Sequence, residues 1–154
     1  MSSTRILMVC LGNICRSPLA EGILKHKVAS VNLDVLVDSA GTSGWHEGEH
    51  PDQRAVQVAR LNGVDISGLR ARPFSTSDFD RFDHIFVMDA QNYRDVLLQA
   101  TDDSQKRKVA MILNKSYPGE DMSVPDPYYG GDDGFKHVFN LLDDACEKII
   151  ESLR

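Results

Sequence analysis

A three-layer α/β/α fold around a four-stranded parallel sheet is what this sequence predicts, and three observations carry the prediction. Short apolar runs without polar alternation recur along the chain, as at Ile6-Leu7-Met8-Val9, and such runs suit strands buried on both faces. Between them lie segments whose apolar residues recur at helical spacing. The length of 154 residues suits one domain with one core, and 42% hydrophobic with 26% charged residues is an ordinary globular composition.

In order, residues 6–9 form the first strand and residues 17–29 the first helix. Pro18 falls in its first turn, where a missing N–H costs nothing, Leu19, Ile23, Leu24 and Val28 share one face, and Ser17 offers an N-cap hydroxyl. Residues 35–37 give a second strand running into Asp38-Ser39-Ala40-Gly41. Ligands gather beyond the carboxyl ends of parallel strands, so Ser39 either sits beside the loop after the first strand or serves as a turn hydroxyl. His46-Glu47-Gly48-Glu49-His50 satisfies the H-E-x-x-H zinc pattern, but that pattern works only on a helix. Gly44, Gly48 and Pro51 oppose one, so no metal is expected.

Residues 51–62 read as the second helix, ended by Gly63, and the basic, turn-like stretch 67–73 follows. Arg70 and Arg72 in that stretch either steer anions or stay solvated as structural charges, and the structural role is favoured. Residues 77–80 suggest a helical turn, 84–88 a third strand and 90–100 a helix with Asp89 as its N-cap or as support for the pocket. Residues 109–113 supply the fourth strand. Phe135, Val138, Phe139, Leu142, Ala145, Ile149 and Ile150 mark a long amphipathic helix over 134–153, with Cys146 as core filler.

The chemistry concentrates in residues 9–18, where a short strand delivers Cys10 to a tight loop and Arg16 opens a helix. A cysteine ending an apolar strand is usually inert, and a bare Cys-x5-Arg spacing arises often by chance. Context raises its weight. The five intervening residues let a loop curl round one tetrahedral oxyanion, so that the thiol, the guanidinium and the N–H groups of residues 11–16 aim at one point, helped by the following helix dipole. The same field favours the anionic sulfur, a strong nucleophile. Gly12 permits close backbone approach and Asn13 tolerates a left-handed conformation.

Cys10-Leu11-Gly12-Asn13-Ile14-Cys15-Arg16-Ser17-Pro18 resembles the signature loop of the low-molecular-weight protein tyrosine phosphatases. Val124-Pro125-Asp126-Pro127-Tyr128-Tyr129-Gly130 matches the family's second motif, and the resemblance spans nearly the whole chain. It implies a flavodoxin-like fold and hydrolysis of phosphotyrosine through a phosphocysteine on Cys10, with Arg16 gripping the phosphoryl group and Asp126 as general acid, then base. Residues of the loop itself (Leu11, Gly12, Asn13, Ile14, Cys15 and Ser17), together with Ser39, Trp45, Tyr128 and Tyr129, are implied to bind substrate or shape its site. Within that set, Ser17 stabilises the sulfur, Asn13 and Ser39 hold the loop's shape, and Trp45 contacts substrate from a variable loop, though it also reads as a core residue. Cys15 is either a thiol that pairs reversibly with Cys10 or a buried small side chain. The chain departs from many members at Gly68, where they carry a histidine that braces the positions of Asn13 and Ser39. Independently of the family, the prolines flanking Asp126 restrict it to extended geometry at a loop tip, where its carboxyl is held in one direction.

Net charge is −6, which opposes nonspecific binding to nucleic acid or anionic membranes. Three cysteines, an odd number, argue against a disulfide framework and fit a reducing compartment. No membrane span or signal peptide is read, so a cytoplasmic protein is expected. The chemistry the resemblance implies requires no cofactor, and a monomer is expected. The partner expected is a tyrosine-phosphorylated protein, with a tyrosine kinase added by analogy. The rivals are an arsenate reductase, which needs further cysteines to relay a disulfide, a cysteine phosphoryl carrier, and a noncatalytic phosphotyrosine-binding module.

Overall fold

The computed structural model describes residues 3–128 and 131–154. Strands β1 (Thr4–Cys10), β2 (Val35–Gly41), β3 (His84–Val87) and β4 (Val109–Met111) form one sheet in the order β2-β1-β3-β4, every pairing parallel. The helices are α1 (Arg16–Ser30), α2 (Gln53–Leu61), α3 (Asp78–Arg81), α4 (Ala90–Gln99), α5 (Asp103–Lys106) and α6 (Asp132–Leu153). No described helix is long and apolar enough to cross a membrane.

β1 shows why an unbroken apolar run was needed. Its side chains alternate, so Ile6, Met8 and Cys10 join a core shared with α1, α2 and α6, while Leu7 and Val9 join a second core with Phe79 of α3 and Val96 of α4. One strand thus packs against helices on both faces, which makes the molecule three layers as predicted. α1 is buried throughout residues 16–24 and reaches solvent only from Lys25 onward. α6 buries the apolar set read from its periodicity, Cys146 included.

Several boundaries differ from the sequence reading. β2 continues to Gly41 instead of stopping at 37, because its ladder with β1 runs unbroken from Thr4↔Val35 to Cys10↔Gly41, drawing Asp38 and Ser39 into the strand. β4 stops at Met111, and Ile112–Asn114 turns as a 3-10 helix whose buried Ile112 and Leu113 pack into the α6 core. Their hydrophobicity imitates a strand but serves packing. The short α5 gave no apolar signal, since none of its residues is buried; the Asp102 side chain caps it by accepting from the Gln105 N–H.

The strand order decides where a ligand can sit. The chain leaves β1 for β2 on one side and later crosses to β3 on the other, so a crevice opens beyond the carboxyl ends of β1 and β3. Cys10 ends β1 beside that crevice, and Asp89 follows β3.

Candidate active site

Between β1 and α1, residues 11–15 curl into a loop whose carbonyls are taken up by neighbouring backbone. Thr42 N–H donates to the Cys10 carbonyl at 2.9 Å, Ser43 N–H to that of Leu11 at 3.0 Å, and Asp52 N–H to that of Ile14 at 2.8 Å. In a trans peptide the N–H opposes the C=O, so the amides of Leu11, Gly12 and Cys15 are turned the other way, on residues that line a cleft of about 190 Å³. Asn13 adopts the left-handed conformation foreseen for it, with φ 57°. Gly41 is required by crowding, because a Cβ there would lie 2.8 Å from the Leu11 carbonyl oxygen.

Cys10 is only 3% exposed, yet it forms part of the cleft floor. Its Sγ accepts from the Asn13 N–H at 3.3 Å and lies 3.0 Å from Ser17 Oγ. Ser17 is therefore not the N-cap of α1. The helix begins one residue earlier, at Arg16, with no side-chain cap, and the hydroxyl is directed at the sulfur instead. Behind the loop, Asn13 Nδ2 donates to Ser17 Oγ at 2.7 Å and to Ser39 Oγ at 2.9 Å, and Ser39 Oγ donates to the buried Glu21 carboxylate at 2.6 Å. Asn13 Oδ1 accepts from the Arg72 N–H at 3.0 Å. With Gly68 in the chain, Asn13 and Ser39 are thus held by the Arg72 backbone and by Glu21, which pairs in turn with Lys25.

Arg16, 3% exposed, extends from the first turn of α1. Its Nη1 donates to Asp89 Oδ2 at 2.7 Å and to the Val124 carbonyl at 3.0 Å, while Nη2 lies 3.8 Å from Asp126 Oδ2. Burial alone would lower the Arg16 pKa, but the nearby Cys10 and Asp89 groups outweigh it and raise the value, so the cation persists at all relevant pH. Asp89 performs both roles read for it: it caps α4 by accepting from the Asn92 N–H at 2.8 Å, and it supports the arginine.

The cleft brings together Cys10, Leu11, Gly12, Ile14, Cys15, Arg16, Trp45, Asp126 and Tyr128 from the sequence-derived set. Asn13, Ser17 and Ser39 do not line it; they lie behind the loop and shape it. Trp45 is 77% exposed at the rim, which corrects its reading as a core residue. Tyr129 lies outside the described residues. Burial, reinforced by the Asp52 charge, pushes the Cys15 thiol up, so it stays protonated. Arg70 and Arg72 do not line the cleft. Arg70 bonds His50 and the Gly68 and Leu69 carbonyls, and Arg72 bridges Asp38 and the fully buried Asp78.

Residues 45–48 form a turn and 49–50 are irregular, so the two histidines do not share a helical face. Sequence reasoning missed His46 as a cleft residue; it bonds Glu49 at 2.7 Å and sits against Gly12, whose lack of a side chain makes room for the ring. Glu21 was also missed, although a carboxylate on the apolar side of a predicted helix was a signal available to find it.

Fold and loop together define a doubly wound α/β protein with an anion cradle at its topological switch point. Residues 5–154 match the family model described as low molecular weight phosphotyrosine protein phosphatase. A Synechocystis chain is 45% identical over 151 residues, spanning 97% of this chain and 96% of its own. The low molecular weight phosphotyrosine protein phosphatase of Schizosaccharomyces pombe is 40% identical, over 97% of this chain and 96% of its own. The crystal structure of a protein tyrosine phosphatase from Entamoeba histolytica, with Hepes in its active site, superposes with a TM-score of 0.92 at 40% identity, covering 98% of this chain and 97% of that one. This chain belongs to the low molecular weight phosphotyrosine protein phosphatase family.

Proposed function

We propose that the protein hydrolyses phosphotyrosine, in a tyrosine-phosphorylated partner protein, and small aryl phosphates, through a phosphocysteine on Cys10. The observation carrying this reading is the meeting of Cys10, Arg16 and Asp126 at one cleft. The Cys10 sulfur attacks phosphorus in line with the departing oxygen, forming S–P as P–O breaks. Because Asp89 and Val124 occupy Nη1 of Arg16, its Nε–Nη2 edge offers the planar fork that takes two phosphoryl oxygens. The loop amides stabilise the developing charge, and Asp126 passes its proton to the leaving phenolate. Trp45 and Tyr128 supply aromatic walls for the substrate ring.

In the second step the Asp126 carboxylate takes a proton from water, which attacks phosphorus. The S–P bond breaks, and inorganic phosphate leaves. Ser17, its oxygen already accepting from Asn13, donates to the sulfur and makes it a better leaving group. A thiol relay of the arsenate reductase kind finds no support here, since Cys146 is wholly buried in α6 and burial pushes its thiol up.

The test is phosphate release from a phosphotyrosyl peptide in excess EDTA, with acid quenching to capture protein-bound phosphate. Wild type is expected to turn over and to show phosphate on Cys10, and Cys10→Ser to do neither. Turnover surviving in Cys10→Ser overturns the mechanism.

A further inference from the structure

Arg54, near the start of α2, ties together parts of the molecule that the mechanism treats separately. Its Nε and Nη2 meet the Asp52 carboxylate at 3.1 and 3.0 Å, and the Asp52 N–H donates to the Ile14 carbonyl at 2.8 Å, fastening this end of α2 to the anion loop. Nη2 also donates to the Tyr128 carbonyl at 3.0 Å. The guanidinium lies 5.6 Å from the centre of the Tyr128 ring and 4.7 Å from that of Phe135 on α6. Tyr128 is engaged at its other end too, where its N–H donates to Asp126 Oδ1 at 3.0 Å.

We propose that Arg54 is a positioning residue that clamps the Asp126 loop over the Cys10 loop, gripping the Tyr128 carbonyl while the Tyr128 N–H orients the Asp126 carboxyl. The loop needs an outside anchor. Pro125 and Pro127 carry no N–H, so the residues on either side of Asp126 cannot donate a backbone bond, and the Asp126 side chain is 41% exposed. A lysine cannot replace the clamp, because an ammonium lacks the planar fork that holds Asp52 and the Tyr128 carbonyl together and stacks on both rings.

The inference rests on Asp126 being the general acid, and the experiment separates the two claims. kcat/KM is measured for aryl phosphates whose leaving phenols run from dinitrophenol to phenol, with wild type, Arg54→Met, Asp126→Asn and the double variant, and thermal unfolding is followed alongside. Arg54→Met is expected to lose about 10- to 100-fold on phenyl phosphate, the scale of a misplaced catalytic group, but only about threefold on the dinitrophenyl ester, which needs no acid. Asp126→Asn should show the steeper dependence, and adding Arg54→Met to it should not steepen it further. A wild-type dependence in Arg54→Met beside a steep one in Asp126→Asn overturns the clamp and leaves the acid standing. A flat dependence in Asp126→Asn overturns the acid, and the clamp with it. Should Arg54→Met fail to fold, Arg54→Lys carries the same test, with a dependence steeper than wild type expected and a wild-type one overturning the clamp.

Discussion

Replacing Asp89 by serine separates two jobs that its carboxylate divides between its oxygens. Oδ1 accepts the Asn92 N–H at 2.8 Å and caps α4; Oδ2 accepts Arg16 Nη1 at 2.7 Å. Serine caps a helix about as well as aspartate, so α4 keeps its cap to within a few tenths of a kcal/mol. Its shorter side chain cannot reach the guanidinium. A hydrogen bond to a charged group contributes roughly 1.5–3 kcal/mol, and because Arg16 is 3% exposed, bulk water replaces little of it. The Val124 carbonyl remains on the same nitrogen at 3.0 Å and keeps the arginine in place, though less firmly oriented. At about 1.4 kcal/mol per tenfold, that energy corresponds to a loss of roughly 10- to 150-fold in kcat/KM if it is all spent on aiming the fork. The assay is kcat/KM on an aryl phosphate together with urea unfolding. Asp89→Ala, which loses the cap as well, should show a similar activity loss and about 1 kcal/mol less stability than the serine variant. A serine variant within threefold of wild type in kcat/KM would refute the idea that Asp89 orients Arg16 for catalysis.

Arg16→Lys is expected to lose kcat/KM severely, by at least about 100-fold, because a point charge cannot hold two oxygens in a plane; a near-normal kcat/KM rejects the bidentate role. Gly41→Ala places a Cβ against the Leu11 carbonyl oxygen, a backbone atom that cannot swing aside. Overpacking of that kind costs about 1–3 kcal/mol, so calorimetry should show Tm falling by several degrees, with activity falling too because the displaced peptide belongs to the anion loop. At Asp52, burial raises the carboxyl pKa, but hydrogen bonds and charge from Arg54 outweigh it and hold the folded value below the ordinary one. The pair's stabilisation is therefore complete above the ordinary aspartate range, near pH 3.9, and is lost as pH falls toward the lower folded value. Acid unfolding of Asp52→Asn should lack this contribution to the slope, and an unchanged slope speaks against the pair.

The apolar runs at residues 6–9 and 85–87 lie within strands because burial on both faces leaves those positions no room for a polar side chain; His84 stands at the exposed start of β3, and the strand ends at Val87, one residue short of the sequence reading. The edges of the sheet read less well. Asp38 and Ser39 look like turn residues, yet they belong to β2, since parallel pairing with β1 satisfies their backbone whatever their side chains prefer. Ile112 and Leu113 look like strand and are not. Ser17 looked like a cap because a hydroxyl beside a helix start usually is one, and nothing local shows that the sulfur of Cys10 would claim it.

The chain's order of residues settled the loop from Cys10 to Arg16 and the helix behind it, because a strand, a short curl and a helix start involve only neighbours and local backbone preference. The company that loop keeps was decided elsewhere. Ser39, Asp89, Asp126 and Arg54 come from segments far apart in the chain, and only the register of parallel strands and the packing of helices on both faces set which of them meet. Hydrophobic burial drives that assembly but has no direction of its own, so the distances that make a site emerge when the whole core closes.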